Sequence, residues 1–168
     1  MQFEVVHEFD IPLDAIELAV LSPDLAEKLL HRIKNVESIT QKAHELGDKG
    51  LTRVWSFQAN VKIPRFARPY VTKEMCAWDE ETKYDLKAHS STWTVTPKIK
   101  PEWQKYFSAT GKYELIPLDS GRTKRVLSGE VDLKVKLVKA VAEKLIVSEL
   151  KKTFDAEAET LRELAQLT

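Results

Sequence analysis

Apolar and polar positions alternate from the start of the chain: Phe3, Val5, His7 and Phe9 fall on one side of residues 2–9, and Gln2, Glu4 and Glu8 on the other. Period two marks a half-buried strand. Pro12 then opens "PLDAIELAVL", and "SPDLAEKLLHRI" follows with Ser22 as N-cap and Pro23 at the first helical position, which predicts two short helices after the strand. Strand patterns return in "NVESITQKAHEL", "LTRVWSFQANVKI", "KEMCAWDEE" and "KYDLKAHSSTWTV", with a turn at "GDKG". Alternation is clearest in residues 107–138, "FSATGKYELIPLDSGRTKRVLSGEVDLKVKLV". A three-residue loop of Asp119, Ser120 and left-handed Gly121 pairs Leu118 with Arg122, Tyr113 with Leu127, Ala109 with Val131 and Phe107 with Leu133. The apolar faces of the two strands then coincide, whereas a two-residue loop opposes Tyr113 to Ser128 and mixes them. From about residue 136 to 166 there is neither Gly nor Pro. Leu137, Val141, Leu145, Phe154, Ala158, Leu161 and Ala165 recur near helical spacing, predicting a helix about 45 Å long.

The order is strand, two short helices, about six strands in meander, then one long helix. It predicts an α+β domain over residues 1–168, in which a curved antiparallel sheet of six to seven strands wraps a C-terminal helix. A curved sheet and a straight helix need not fill the space between them. An internal cavity is expected there.

Composition narrows the function classes. The chain has 168 residues, 43% apolar and 31% charged, enough for one substantial core. Lys plus Arg and Asp plus Glu both number 26, so no net field favours nucleic acid. The single cysteine, Cys76, leaves no internal disulfide and no zinc spacing, and its thiol has no evident base. His7, His31, His44 and His89 are scattered without a ligand pattern, so neither a metal nor a cofactor is expected. No leader or membrane-spanning run stands out, and a cytoplasmic location is expected. Oligomeric state is not legible.

The element order, together with "SGRTKRVLSGEVDLKVKLVKAVAEKLIVSELKKTFDAEAETLREL" at 120–164, resembles the START-like superfamily, also known as the SRPBCC, helix-grip or Bet v 1-like fold. "GEVDLKV" running into the long helix and "MCAWDEE" ahead of the later strands are similar to a group of uncharacterised bacterial START-like proteins. The resemblance implies a cavity for lipids, sterols, polyketides or other apolar molecules. The superfamily also hosts transfer proteins, cyclases and hydrolases, so fold alone does not select an activity. Two features depart from it: "VKLVKAV" at 135–141 lacks the Pro and Gly of many relatives, and "LGDKG" at 46–50 is an ordinary turn rather than a Gly-rich loop.

Candidate cavity walls follow from strand parity. Trp55 and Phe57 share a face with Leu51, Ala59 and Val61, while Phe107, Ala109, Tyr113, Leu127 and Val131 share the hairpin face. Aromatic side chains carry large apolar area and suit a pocket wall, although plain core packing uses the same residues. Val141, Leu145 and Ser148 are expected over the cavity from the long helix, Ser148 offering a hydrogen bond. Phe66, between Arg65 and Arg68 in "IPRFARPYV" (63–71), suits a gate or a transient membrane contact, against a simple pinned connection. His7 and Arg125 are the polar members of otherwise apolar faces, and Arg125 either neutralises a ligand carboxylate or snorkels at a strand end.

These readings support binding of a hydrophobic or amphipathic small molecule in an internal cavity, as carrier or sensor. The alternatives are an enzyme of the polyketide cyclase or hydrolase type and an interaction domain with a filled core.

Overall fold

Both strands of the long hairpin carry their apolar residues on one face, and they pair in the only register that lets those faces coincide. β6 (Phe107–Leu118) and β7 (Arg122–Leu133) match Phe107 with Leu133, Ala109 with Val131, Tyr113 with Leu127 and Leu118 with Arg122. The connection is a one-turn 3₁₀ segment, Asp119–Gly121, in which Ser120 (φ 66°) and Gly121 (φ 70°) are both left-handed.

The structure, a computed structural model, describes residues 1–60, 62, 63, 65, 68, 69, 73–137 and 139–167, and for residues 74 and 75 the backbone alone. Ahead of the hairpin come β1 (Gln2–Phe9), α1 (Leu13–Val20), α2 (Leu25–Leu30), β2 (Val36–Leu46), β3 (Gly50–Ala59), β4 (Ala77–Asp85), β5 (Ser90–Pro97) and a single turn, α3 (Pro101–Gln104). The hairpin then leads into α4 (Lys139–Gln166). The seven strands form one antiparallel sheet in the order β1-β7-β6-β5-β4-β3-β2. Register shifts between Val36 and Ser38 and between Gln41 and Ala43 interrupt β2, the kind of bulge that bends a strand and tightens sheet twist. α4 packs against α1, α2, β1 and β7, giving the α+β helix-grip architecture.

Three local expectations change. The turn after β4 lies at residues 86–89, four positions beyond the sequence-based break, because Asp85 Oδ1 accepts the N–H groups of Lys87 and Ala88 and His89 adopts φ 51°. A side-chain-stapled turn needs no glycine. α2 starts at Leu25 behind Asp24, while Ser22 Oγ accepts the Asp24 N–H one turn early. α4 starts at Lys139, where Glu143 Oε1 accepts the Leu133 N–H at 3.0 Å and lies 3.1 Å from Lys139 Nζ. The Leu133 hydrogen bond, with Lys139, pulls the Glu143 carboxyl down to about 2.

The core sits between the concave sheet face and the helices. Phe3 of β1, Trp93 of β5 and Phe154 of α4 meet at centroid separations of 5.7–6.4 Å. Trp93 can lie on the sheet because Gly111 and Gly129 are opposite each other beneath it; a Cβ on either would stand 2.4 or 2.5 Å from its ring.

Candidate functional site

The concave face is more polar than a helix-covered face normally is. Strand parity puts Arg53 between Leu51 and Trp55, Glu80 and Thr82 between Trp78 and Tyr84, and Arg125 between Thr123 and Leu127, all pointing inward. Glu157 joins them from α4, one turn past Phe154. Arg125 is 0% exposed and Glu157 6%, and Arg125 Nη2 bonds Glu157 Oε2 at 2.9 Å. Burying two ions is costly, and the pair offsets that cost only through such contacts.

Each guanidinium lies on an aromatic ring. Arg125 sits 4.9 Å over Tyr113, and Arg53 sits 3.9 Å over Trp55 while Nη1 donates to the Val20 carbonyl at 3.1 Å. Val20 ends α1, where the helix dipole favours a cation. Stacking orients the two cations but leaves N–H groups at their edges. Arg53 Nε, Arg125 Nε, Arg125 Nη1 and the Tyr113 hydroxyl are buried with no protein partner among the described residues. An orphaned buried donor costs about 1–3 kcal/mol, so four together need an explanation.

Glu80 is directly opposite Trp55 and half-buried. Burial, then the charge of Glu157, pushes its carboxyl up to about 7, against the opposing pull of Arg53, Arg125 and Thr82. Burial also lifts the Tyr113 phenol well above its ordinary range, with Arg125 opposing. The interior therefore holds two cations, one paired carboxylate and one carboxyl poised near neutrality. Such a set can receive an acceptor-rich group or exchange a proton.

Trp55, Phe57, Ala109, Tyr113, Leu127 and Val131 are buried on the concave face, and Phe107 packs against the same core. Arg125 does not snorkel; it is held inside. His7 stands opposite Arg125 in the sheet, its Nε2 2.8 Å from Asp155 Oδ1, and burial lowers its pKa. Three expected wall residues face the wrong way. Val141 is 78% exposed, Leu145 62%, and Ser148 is exposed too. At about 100° per residue, Leu145 lies about 160° around the helix from Leu161, and the inward stripe is Glu143, Val147, Phe154, Ala158 and Leu161. Phe66 lies outside the described residues. Within 63–71, Arg65 and Arg68 are exposed, and Arg68 Nε donates to the Ile63 carbonyl at 3.2 Å.

Arg53, Glu80 and Glu157 were not foreseen. The signal for Arg53 was its parity, a charge on the apolar side of β3, and for Glu157 its place on the stripe of Phe154, Ala158 and Leu161. Glu80 was hidden by the misplaced strand break.

Residues 4–164 match the profile of the family described as Protein of unknown function (DUF2505). The chain belongs to this family. No curated protein matches this DUF2505 member. Among solved structures it is similar to TTHA0849 from Thermus thermophilus, at 17% identity and TM-score 0.65 over 99% of this chain and 98% of that one. The Zhui aromatase/cyclase from Streptomyces sp. R1128 gives 14% and 0.66 over 99% and 93%. Norcoclaurine synthase from Thalictrum flavum gives 15% and 0.61 over 99% and 87%. At these identities the likeness establishes the shared fold alone.

Proposed function

We propose that the protein binds an amphipathic small molecule between the concave sheet face and α4, acting as carrier or sensor. One observation supports this above the rest: Arg53 and Arg125 both act on the Tyr113 phenol, and all three keep buried hydrogen-bonding groups without protein partners among the described residues. A filled core would pair those groups or replace them with apolar side chains. The same strands carry apolar side chains further along the same face: Trp55 and Phe57 beyond Arg53, Ala109 and Phe107 beyond Tyr113, Val131 beyond Arg125. Register places all of these toward the same end of the sheet. The guanidiniums and the phenol lie to one side of these apolar side chains along the strands, and Glu80, opposite Trp55, stands among the apolar ones, a mixed face that suits an amphipathic occupant. That the solved structures of this fold include a cyclase and a synthase agrees with a small-molecule site.

A second reading has its own observation. A carboxyl near 7 within reach of two guanidiniums can act as general acid or base, so an enzyme of the cyclase type uses the same groups. Turnover of the bound compound separates the two.

Native mass spectrometry of the purified protein, followed by solvent extraction, tests the binding reading. A co-purified small molecule, or stoichiometric uptake of an added naphthylamine dye, is the expected result. Chain mass alone together with no dye uptake contradicts it.

A further inference from the structure

The orphaned buried groups also include Trp93 Nε1 and the Nδ1 atoms of His7 and His44, but those around the two inward guanidiniums are of one kind. Arg53 Nε and Arg125 Nε and Nη1 only donate, and the Tyr113 hydroxyl can donate as well. Water satisfies donors poorly in such a place, because its own protons then need acceptors. The charges point the same way. Around Glu80 itself, two guanidiniums face one carboxyl group, Glu157, while Glu17 of α1 acts on Tyr113 but is engaged by Tyr84 and His89, so with Glu80 protonated positive charge is in excess beside it. A singly charged anion balances that excess; a phosphate monoester, at about −1.5 to −2, overshoots it.

Resting on the binding reading above, we propose that the occupant is an amphipathic carboxylic acid, its carboxylate received by the unpartnered donors of Arg53, Tyr113 and Arg125. The hydrocarbon part lies toward Trp55, Phe57, Ala109 and Val131. Glu80 faces Arg53 from β3, Arg125 from β7 and Glu157 from α4, with Thr82 on its own strand. Its carboxyl already stands at about 7, and a second anion nearby raises it further. Above neutrality, binding therefore takes up a proton from solvent. Affinity for the acid falls as pH rises, tending toward about tenfold per unit until the loaded carboxyl ionises.

Calorimetric titration of the full chain with dodecanoate, dodecanol and dodecyltrimethylammonium at about pH 6 and about pH 8 tests this. Dodecanoate is expected to bind at least about tenfold more tightly than dodecanol at the lower pH, with the ammonium weakest. The preference for dodecanoate shrinks by up to about tenfold at the higher pH. Glu80→Gln keeps the preference and removes its pH dependence. Tyr113→Phe, which conserves shape, and Arg53→Gln each reduce the preference, with thermal unfolding measured alongside. Equal affinity for dodecanoate and dodecanol overturns acid recognition while leaving the binding reading in place. Failure of all three probes to bind removes the binding reading and this inference with it.

Discussion

Two groups of side chains lie side by side beneath α4 and solve burial differently. Phe3, Trp93 and Phe154 fill their space with rings, made possible by two opposed glycines that let Trp93 approach the backbone. Arg53, Glu80, Tyr113, Arg125 and Glu157 fill theirs with charge, and leave donors unmet. The first group is closed by packing, with the Trp93 indole N–H its one unmet donor among the described residues, and any change to it costs cohesion. The second is incomplete as a structural unit, because an apolar set of the same volume would be no less stable. Retaining it makes physical sense when something outside the chain completes it.

Substitutions can break that contrast, beginning with the largest effect. Phe154→Ala removes the ring shared by Phe3 and Trp93 and is expected to cost about 3–5 kcal/mol in urea unfolding, through lost burial and a residual cavity. Glu157→Ala strands the buried Arg125 and costs about 3 kcal/mol, yet the double replacement Arg125→Met with Glu157→Leu returns stability to within about 1 kcal/mol of the parent. A double variant as unstable as the single one would make the pair a structural element and erase the contrast.

Glu80→Gln sharpens it through pH. The folded carboxyl titrates near 7 against an ordinary carboxyl near 4.5, so the folded state holds the proton more tightly and the parent loses stability as pH climbs between those values. The glutamine variant lacks that loss, so its advantage over the parent grows to roughly 2–3 kcal/mol by about pH 8, measured by urea unfolding across pH. Tyr113→Phe removes an unmet hydroxyl and changes stability by no more than about 1 kcal/mol. Leu145→Ser, on the outer side of α4, stays within about 0.5 kcal/mol.

The hairpin was legible because two period-two patterns and a turn with left-handed residues admit one register, and every expected pair from Phe107–Leu133 to Leu118–Arg122 forms. The β4–β5 turn was not, because Asp85 and His89 do there what glycine usually does, and its displacement concealed the inward parity of Glu80. Helix α4 carries two competing apolar rows. Val141 and Leu145 form one and Val147, Phe154, Ala158 and Leu161 the other, and spacing alone does not say which the sheet covers. Projection backward from the strongly apolar C-terminal half at 3.6 residues per turn selects the second row. The polar cluster was half visible. Arg125 stood out on an apolar face, but its partner Glu157 lies 32 positions later in the chain, and pairing across that distance is set by the fold, not by local pattern.

Titration of the Glu80 carboxyl carbon by NMR, in the free protein and with dodecanoate bound, tests the central claim most directly. The account predicts a midpoint of about 7 in the free protein and a higher one in the loaded protein. A midpoint near the ordinary value of 4.5 in both states would contradict it, leaving the concave face without a poised group and without a reason to take up an acid.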